Sequence, residues 1–440
     1  MKKDVNINVH HLTRVEGHGN ILVDVKKGKI EECTWQVPES PRFFEAMIRG
    51  RHYTEVARIT SRICGICSIG HTLASVKATE SACGIEITEQ VKKLRTILKH
   101  AENFDSHVLH VGVLVAPDLL GAPSVFPLVA SHGPVVACVL RLKRLGHEWG
   151  SVLAGRTTHP TTVIPGGFSK MLTKKDLVDL KEKILASVDD INTLVATVAS
   201  LAPNIPAFDR PTEYVAVSSD DEYGLYDGLI QTTMPDGKKE RFSVADYKLV
   251  TNEYVSPNST AKYAKHNMDS YAAGALARFN NNREQLHPEA KKIAEALGMT
   301  SLVTNPYLNS AAQVIECVHS VYDSLRLIDE LVADPDYDPH QELVKPTRFG
   351  NGSSAVEVPR GILFHEYTYD KEGMCIGGNC IIPTNQNHGN IQLDFDKLVP
   401  EMLEADKSEE EMTLALEMLV RAYDPCISCS AHYLDVRFKK

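Results

Sequence analysis

Alternation opens the chain. In GNILVDVKKGKIEECTWQV, Ile21, Val23 and Val25 share one face, KKGK interrupts the pattern, and Cys33, Trp35 and Val37 alternate on the return. That pattern predicts a β-hairpin. After residue 90 the apolar period lengthens to that of a helix. Val91, Leu94, Leu98 and Ala101 form one stripe, and the segment continues through FDSHVLHVGVL. A longer helix is expected after Thr173, a hydroxyl N-cap, with Leu177, Leu180, Ile184, Ile191, Val195 and Val198 on one face. Val314, Val318, Val321, Leu325 and Ile328 mark another. The last helix is bounded at both ends. Ser408 and Glu411 form a capping box, Met412, Leu416, Leu419 and Tyr423 repeat on one face, and Asp424-Pro425 stops it. Proline cannot continue the hydrogen-bond ladder and restricts the residue before it.

Long amphipathic helices bury their stripes against one another, so the pattern predicts an α+β, mainly α fold: a long-helix bundle with small peripheral sheets and hairpins. From 204 to about 262 the chain turns rich in Pro, Asp and Tyr. There LIQTTMPDGKKERFSV reads as a hairpin around Pro235-Asp236-Gly237, a β-rich excursion from the bundle. No repeat, low-complexity tract or flexible linker divides residues 1–440, which are expected to form a single domain.

Composition narrows the partners. The 440 residues are 43% hydrophobic and 24% charged, enough for a large core and unlike a disordered chain. A net charge of −10 leaves no basic footprint for nucleic acid or an anionic membrane. The opening residues lack the apolar core of a signal peptide, and no uninterrupted apolar run reaches membrane length, so a cytoplasmic protein without direct membrane insertion is expected. One acidic motif misleads. DPDYDPHQELVK, Asp334–Lys345, begins like a calcium-binding loop but has Pro339 where glycine is needed and Lys345 where glutamate is needed. It reads as a surface loop.

The chemistry lies in the cysteines. Of ten, Cys33, Cys83, Cys138, Cys317, Cys375 and Cys380 read mainly as small buried hydrophobes. The other four are paired, as Cys64/Cys67 in SRICGICSIGH and Cys426/Cys429 in DPCISCSAH. In a reducing compartment such pairs are metal or redox motifs more often than structural disulfides. A thioredoxin-like reading of one pair lacks the short strand–motif–helix arrangement. A structural zinc would usually draw its thiolates from one local knuckle, whereas 358 residues lie between Cys67 and Cys426. Ligands gathered from opposite ends point to chemistry at the heart of the fold. Thiolates suit nickel, iron, copper(I) and zinc alike, so ligand type alone does not name the metal.

RICGIC followed by His71, and DPCISC followed by Ala431-His432, resemble the two signatures of the large, catalytic subunit of nickel–iron hydrogenases. Further landmarks follow in the family's order: TRVEGHG from Thr13, FFEAMIRGR from Phe43, GRTTHPTTVIPGG from Gly155, VPRG from Val358 and IIPTNQN from Ile381. The resemblance implies a nickel held by Cys64, Cys67, Cys426 and Cys429. Cys67 and Cys429 would bridge to an iron carrying one carbon monoxide and two cyanides. Arg360 and Thr384, with Pro359 beside the arginine, would face the cyanides, a role that suits a guanidinium and a hydroxyl. A magnesium (or iron) would be held by Glu45, His432 and a backbone carbonyl near Cys380. Around this centre fall His71, Asp424 and His159, the last near the partner's closest iron–sulfur cluster.

For the reaction itself, Cys426 is the expected base and Glu16 the proton relay. By itself, Glu16 near Arg14 would read as a surface ion pair. His107 and His110, three apart, read as packed or hydrogen-bonded histidines. Some family members carry an acidic residue near the active-site arginine; Ser106 falls there, which counts against such a role for the adjacent Asp105. No further set of four cysteines with cluster spacing remains, so electrons must leave through a small subunit carrying iron–sulfur clusters. The resemblance is closest to cytoplasmic multi-subunit enzymes of the viologen-reducing, heterodisulfide-reductase-associated type. Flavin, nicotinamide or deazaflavin-reducing subunits are the other electron-transfer partners it implies. It also implies a maturation endopeptidase that removes the tail 433–440 after His432. Two other readings are a regulatory hydrogen sensor and a non-catalytic relative from respiratory complex I, the second of which lacks the cysteine pairs.

Overall fold

A computed structural model of the chain describes residues 4–431. Its centre is helical. The helices Glu89–Leu109, Gly133–Ala154 and Asn309–Ala333 pack side by side, and Ser68–Cys83 lies between them and a sheet. The stripes expected from sequence face inward, with Val91, Leu94, Leu98 and Ala101 on one helix and Val314, Val318, Val321, Leu325 and Ile328 on another all buried. One contiguous apolar cluster runs from Val5 to Cys429, joining both ends of the chain to the same core.

The N-terminal hairpin forms as expected, from Asn20–Lys26 and Lys29–Gln36, and Val5–Val9 adds a third antiparallel strand that the alternation had not marked. The β-rich excursion builds a four-stranded sheet in the order Tyr271–Ala272, Glu213–Ser218, Leu229–Thr233, Lys239–Phe242. Its hairpin turns at Gly237, whose φ of 85° needs a residue without Cβ strain.

A further sheet, Asn351–Val358, Gly361–Tyr369 and Cys375–Ile381, supports the helix Ser68–Cys83. Val358 pairs with Gly361, so Pro359 and Arg360 form a two-residue hairpin tip. Gly361 has φ 132°, and a Cβ there would lie 2.6 Å from that of Ala273. The tip is thus pinned at the core's edge.

The helix expected after Thr173 divides in two. Thr173 caps Lys174–Leu185 with a capping box, but Val188–Leu201 is a separate helix. The Ser187 hydroxyl donates to the Ile184 carbonyl at 2.7 Å at the break, and the apolar stripe restarts with Ile191, Leu194 and Val198, leaving Val195 only partly buried. By length and composition alone the stretch 174–204 is apolar enough to cross a membrane, which is weak evidence for a helix broken in this way. Residues Asp334–Lys345 form turns and loop, as expected. The final helix, Glu409–Ala422, starts at the Ser408–Glu411 capping box and stops where Asp424 takes a left-handed φ of 49°.

Candidate metal centre

The first cysteine loop lies between two helices. A 3₁₀ turn, Ser61–Ile63, leads into Cys64, and Cys67 is the N-cap of the helix Ser68–Cys83. A helix follows this pair and another helical segment precedes it, so no thioredoxin-like strand is present there. The Cys67 amide N–H donates to Cys64 Sγ at 3.0 Å. A helix N-terminus and an amide donor both favour sulfur in its thiolate form. The second loop is turned inward by Asp424 and Pro425, and Cys429 lies on the short helix Ile427–Ser430.

The two ends of the chain meet here. Cys64 Sγ lies 3.5 Å from Cys426 Sγ, and the ligand atoms of Cys64, Cys426 and Cys429 all fall within 4.8 Å of one another. The Cys426 and Cys429 sulfurs touch. Cys67 joins the group through its contacts with Cys64 and Arg360. Each of the four is at most 3% exposed. Hydrogen bonding from Cys67, helped by the charge of Arg360, holds the Cys64 thiol below its ordinary range in spite of burial. The same contact with Cys64, together with burial, pushes Cys67 well up.

Glu16 backs the second loop. Its carbonyl accepts the Ile427 N–H at 2.9 Å, and its backbone bridges to Cys426. Its carboxylate accepts the Ser428 N–H at 3.2 Å and the Ser428 hydroxyl. Gly17, at φ 84°, allows this approach, because a Cβ would lie 2.5 Å from Ser428 N. The surface ion pair with Arg14 does not form. Arg14 instead donates to Asp118 and to the Leu114 carbonyl, and Asp118 also binds the buried Arg421.

Arg360 enters from the hairpin tip. Its Nη1 donates to Cys67 Sγ at 3.1 Å and its Nη2 to Asp424 Oδ1 at 2.8 Å, while Nε is buried with no partner among the described residues. Burial opposes its charge, but Asp424 and the thiols outweigh that, and the guanidinium stays protonated. Gln313 donates to the other Asp424 oxygen at 3.0 Å. The Cys426 N–H donates to Thr384 Oγ1 at 3.0 Å, which leaves the hydroxyl proton for another acceptor. The Pro359 carbonyl accepts from Arg278 Nη2 at 3.0 Å, and Arg278 also binds Glu316 and Glu357.

The remaining expected residues separate into groups. Glu45 accepts the Cys380 N–H at 2.8 Å, so these two meet, whereas His432 lies outside the described residues. His71 begins a buried chain: its Nδ1 is 3.2 Å from His365 Nε2, and His365 Nδ1 is 2.6 Å from the Tyr367 hydroxyl. His159 flanks the first loop, with its N–H on Ser68 Oγ at 2.9 Å and its Nδ1 3.0 Å from the Ser61 carbonyl. His107 pairs with Glu316, and His110 lies between Gln313 and the Arg421 carbonyl, both as hydrogen-bonded core histidines. Asp105 binds Lys143 at 2.5 Å, and the carboxylate beside Arg360 is that of Asp424.

The sequence reading missed Arg42. Its Nη2 donates to the Ile63 and Ser428 carbonyls, each at 2.6 Å, and so ties the two cysteine loops together. Its only sequence signal is its place immediately before the FFEAMIRGR landmark. A second group, His100, His319 and Asp323, also brings ligand atoms together. The His287 N–H donates to His319 Nδ1 at 3.1 Å, so the neutral ring carries its proton on Nε2. That group reads as hydrogen-bonded packing.

Four buried sulfurs with a guanidinium against one of them suit a soft cation with anionic ligands. The nickel-dependent hydrogenase family matches residues 42–126 and 216–432, and a HoxL-like segment matches residues 6–40. The alpha chain of sulfhydrogenase 1 from Pyrococcus furiosus is 32% identical, covering 97% of each chain. A chain of the vhu-type F420-non-reducing hydrogenase from Methanocaldococcus jannaschii is 31% identical over 87% of this chain and 95% of that one. The crystal structure of an NAD+-reducing [NiFe]-hydrogenase in the H2-reduced state superposes with a TM-score of 0.87 at 26% identity, covering 97% of this chain and 99% of that one. With both cysteine loops inside the matched segments, the chain belongs to the nickel-dependent hydrogenase family, as the catalytic large subunit of a nickel–iron enzyme that acts on dihydrogen.

Proposed function

We propose that Cys64, Cys67, Cys426 and Cys429 would hold the nickel, that Cys67 and Cys429 would also serve as ligands to the iron, and that one carbon monoxide and two cyanides would complete the iron's set. When bound, this centre supplies the Lewis acidity that polarises dihydrogen. The observation that carries the reading is the meeting of Cys64 and Cys426 at 3.5 Å, with Arg360 donating to Cys67. Cys426 is the residue that would take up a proton at its sulfur, which the N–H bond to Thr384 and the neighbouring Cys64 hold in place. Glu16 receives it next, since its carboxylate lies at Ser428 and its charge acts on Cys64. Asp424 keeps Arg360 oriented, and Arg360 and Thr384 donate to the cyanides. Glu45, a carbonyl near Cys380, and His432 hold the magnesium or iron.

The chain acts as one domain beside an iron–sulfur small subunit, in a cytoplasmic complex whose further subunits set the acceptor. The viologen-reducing, heterodisulfide-reductase-associated type remains our assignment for that acceptor. Identifying the subunits that copurify tests it. Elemental analysis combined with dye reduction tests the centre. Active protein should contain one nickel and at least one iron, and zinc without nickel in a chain that still oxidises dihydrogen would overturn the assignment.

A further inference from the structure

Arg278 uses all of its N–H donors inside the core. Nε and Nη2 meet the two Glu316 oxygens at 2.6 and 2.7 Å, a bidentate fork. Nη1 donates to Glu357 Oε2 and to the Val358 carbonyl, each at 2.8 Å, and Nη2 also donates to the Pro359 carbonyl at 3.0 Å. Arg278, Glu316 and Glu357 are at most 2% exposed. The carboxylates are secured in turn. Glu316 accepts from the Tyr223 hydroxyl and lies beside His107 Nε2, both at 2.7 Å, while Glu357 accepts the Val217 N–H at 2.7 Å. Burial opposes the charge of Glu316, but Arg278 and then His107 outweigh it and hold the carboxyl far below its usual range.

The backbone that Arg278 holds is the backbone that leads into Arg360. Val358 ends the strand Asn351–Val358 and Pro359 begins the hairpin tip, so their carbonyls fix the direction in which the chain enters Arg360. The head of Arg360 is fixed separately, by Asp424, whose other oxygen accepts from Gln313. Gln313 and Glu316 are three apart on the helix Asn309–Ala333 and so share one face. A single helical turn therefore anchors both parts of Arg360, the backbone through Glu316 and Arg278 and the guanidinium through Gln313 and Asp424.

We propose that Arg278, clamped by Glu316, is a positioning residue for the dihydrogen reaction, holding the Val358–Pro359 backbone so that Arg360 presents its guanidinium to the iron's cyanides. The proposal rests on the cyanide-facing role given to Arg360 above. The task needs an arginine. Its planar fork grips Glu316 with two bonds and still reaches two carbonyls, whereas a lysine ammonium is a point charge on a flexible stem and cannot hold all of them at once.

The test is infrared spectroscopy of the purified native complex, which reads the cyanide stretching bands, with nickel content and dye reduction measured on the same preparation. Arg278→Lys keeps the buried charge and should retain nickel while shifting the cyanide bands. Its turnover should fall by about tenfold to 10²-fold, the scale of a small misplacement. Glu316→Gln loosens the clamp without removing Arg278 and should shift the bands in the same direction by less. Arg95→Lys is the control. Arg95 is equally buried and binds Glu80, the Tyr226 hydroxyl and the Ile164 and Gly167 carbonyls, none of which belongs to the cysteine loops or the arginine tip. Its bands should stay at wild-type positions even where stability falls. Unchanged bands in nickel-loaded Arg278→Lys would overturn the positioning assignment alone, as would an equal shift in Arg95→Lys. If Arg278→Lys loses its nickel, unchanged bands in Glu316→Gln overturn it. Loss of nickel from both variants overturns it too, because the network would then serve folding. A wild-type complex with no cyanide bands would overturn the reading of the metal centre itself.

Discussion

Cys426 is held from three directions: its N–H donates to Thr384, its backbone bridges to Glu16, and its sulfur lies 3.5 Å from Cys64. Replacing it by serine puts a hard, poorly ionised oxygen where a soft thiolate is needed. Cys426→Ser should lose both nickel and turnover, read by elemental analysis and dye reduction on the same preparation. Glu16→Gln keeps the size and hydrogen-bonding capacity that face Ser428 but cannot carry a proton. Metal content should survive while turnover falls about 10²- to 10⁴-fold, the usual worth of a positioned acid–base group. Deuterium exchange at the wild-type rate in that variant would show that protons leave by another route.

At the level of elements, the site depends on how closely the N-terminal segment approaches the last cysteine loop. Arg42 spans the two loops with two charge-assisted bonds to carbonyls. Arg42→Ala should destabilise the metal-free chain by about 3 kcal/mol, from the usual net value of such bonds, and should lower nickel occupancy in parallel. Urea denaturation of metal-free protein and nickel analysis of the expressed enzyme measure the two effects. Gly17→Ala acts on the same junction by steric means, because its Cβ would fall 2.5 Å from Ser428 N. It should displace the loop and cost nickel retention even though it removes no hydrogen bond.

For the molecule as a whole, acid stability should depend on buried histidine. His319 is fully enclosed on the helix Asn309–Ala333, and burial pushes it down to about 3. The unfolded chain takes up a proton near the ordinary histidine value of about 6.5, while the folded chain does not. Stability is therefore unaffected above that value and is lost as pH falls below it, until the folded ring itself titrates. At pH 5 the loss from this one residue is about 2 kcal/mol. Urea midpoints of the metal-free chain at pH 7 and pH 5 should differ, and His319→Gln should reduce that difference. The tail is a second property of the whole chain. His432 and the residues after it lie outside the described residues, and the family resemblance implies cleavage after His432. Intact mass of active, nickel-loaded enzyme should show the loss of Tyr433–Lys440, and nickel-starved cells should accumulate the longer form.

Features with local causes were legible in the order of residues. The N-cap at Thr173, the capping box at Ser408, the hairpin turn at Gly237 and the three-residue spacing of both cysteine pairs depend on neighbours a few positions away. The sheet spanning residues 351–381 was hidden because its first two strands are buried over most of their length, which erases the alternation that marks a half-exposed strand. The helix Pro383–Glu404 was hidden for the opposite reason: Thr384, Asn385, Gln386, Asn387, His388 and Asn390 are polar yet buried, so no apolar stripe betrays it. Packing in three dimensions was needed to bring Arg360 to Cys67, to steady it with Asp424 rather than Asp105, and to set Arg42 between the two loops. Those contacts join residues far apart in sequence. Their geometry is set by how the helices and sheets pack, which no local pattern encodes.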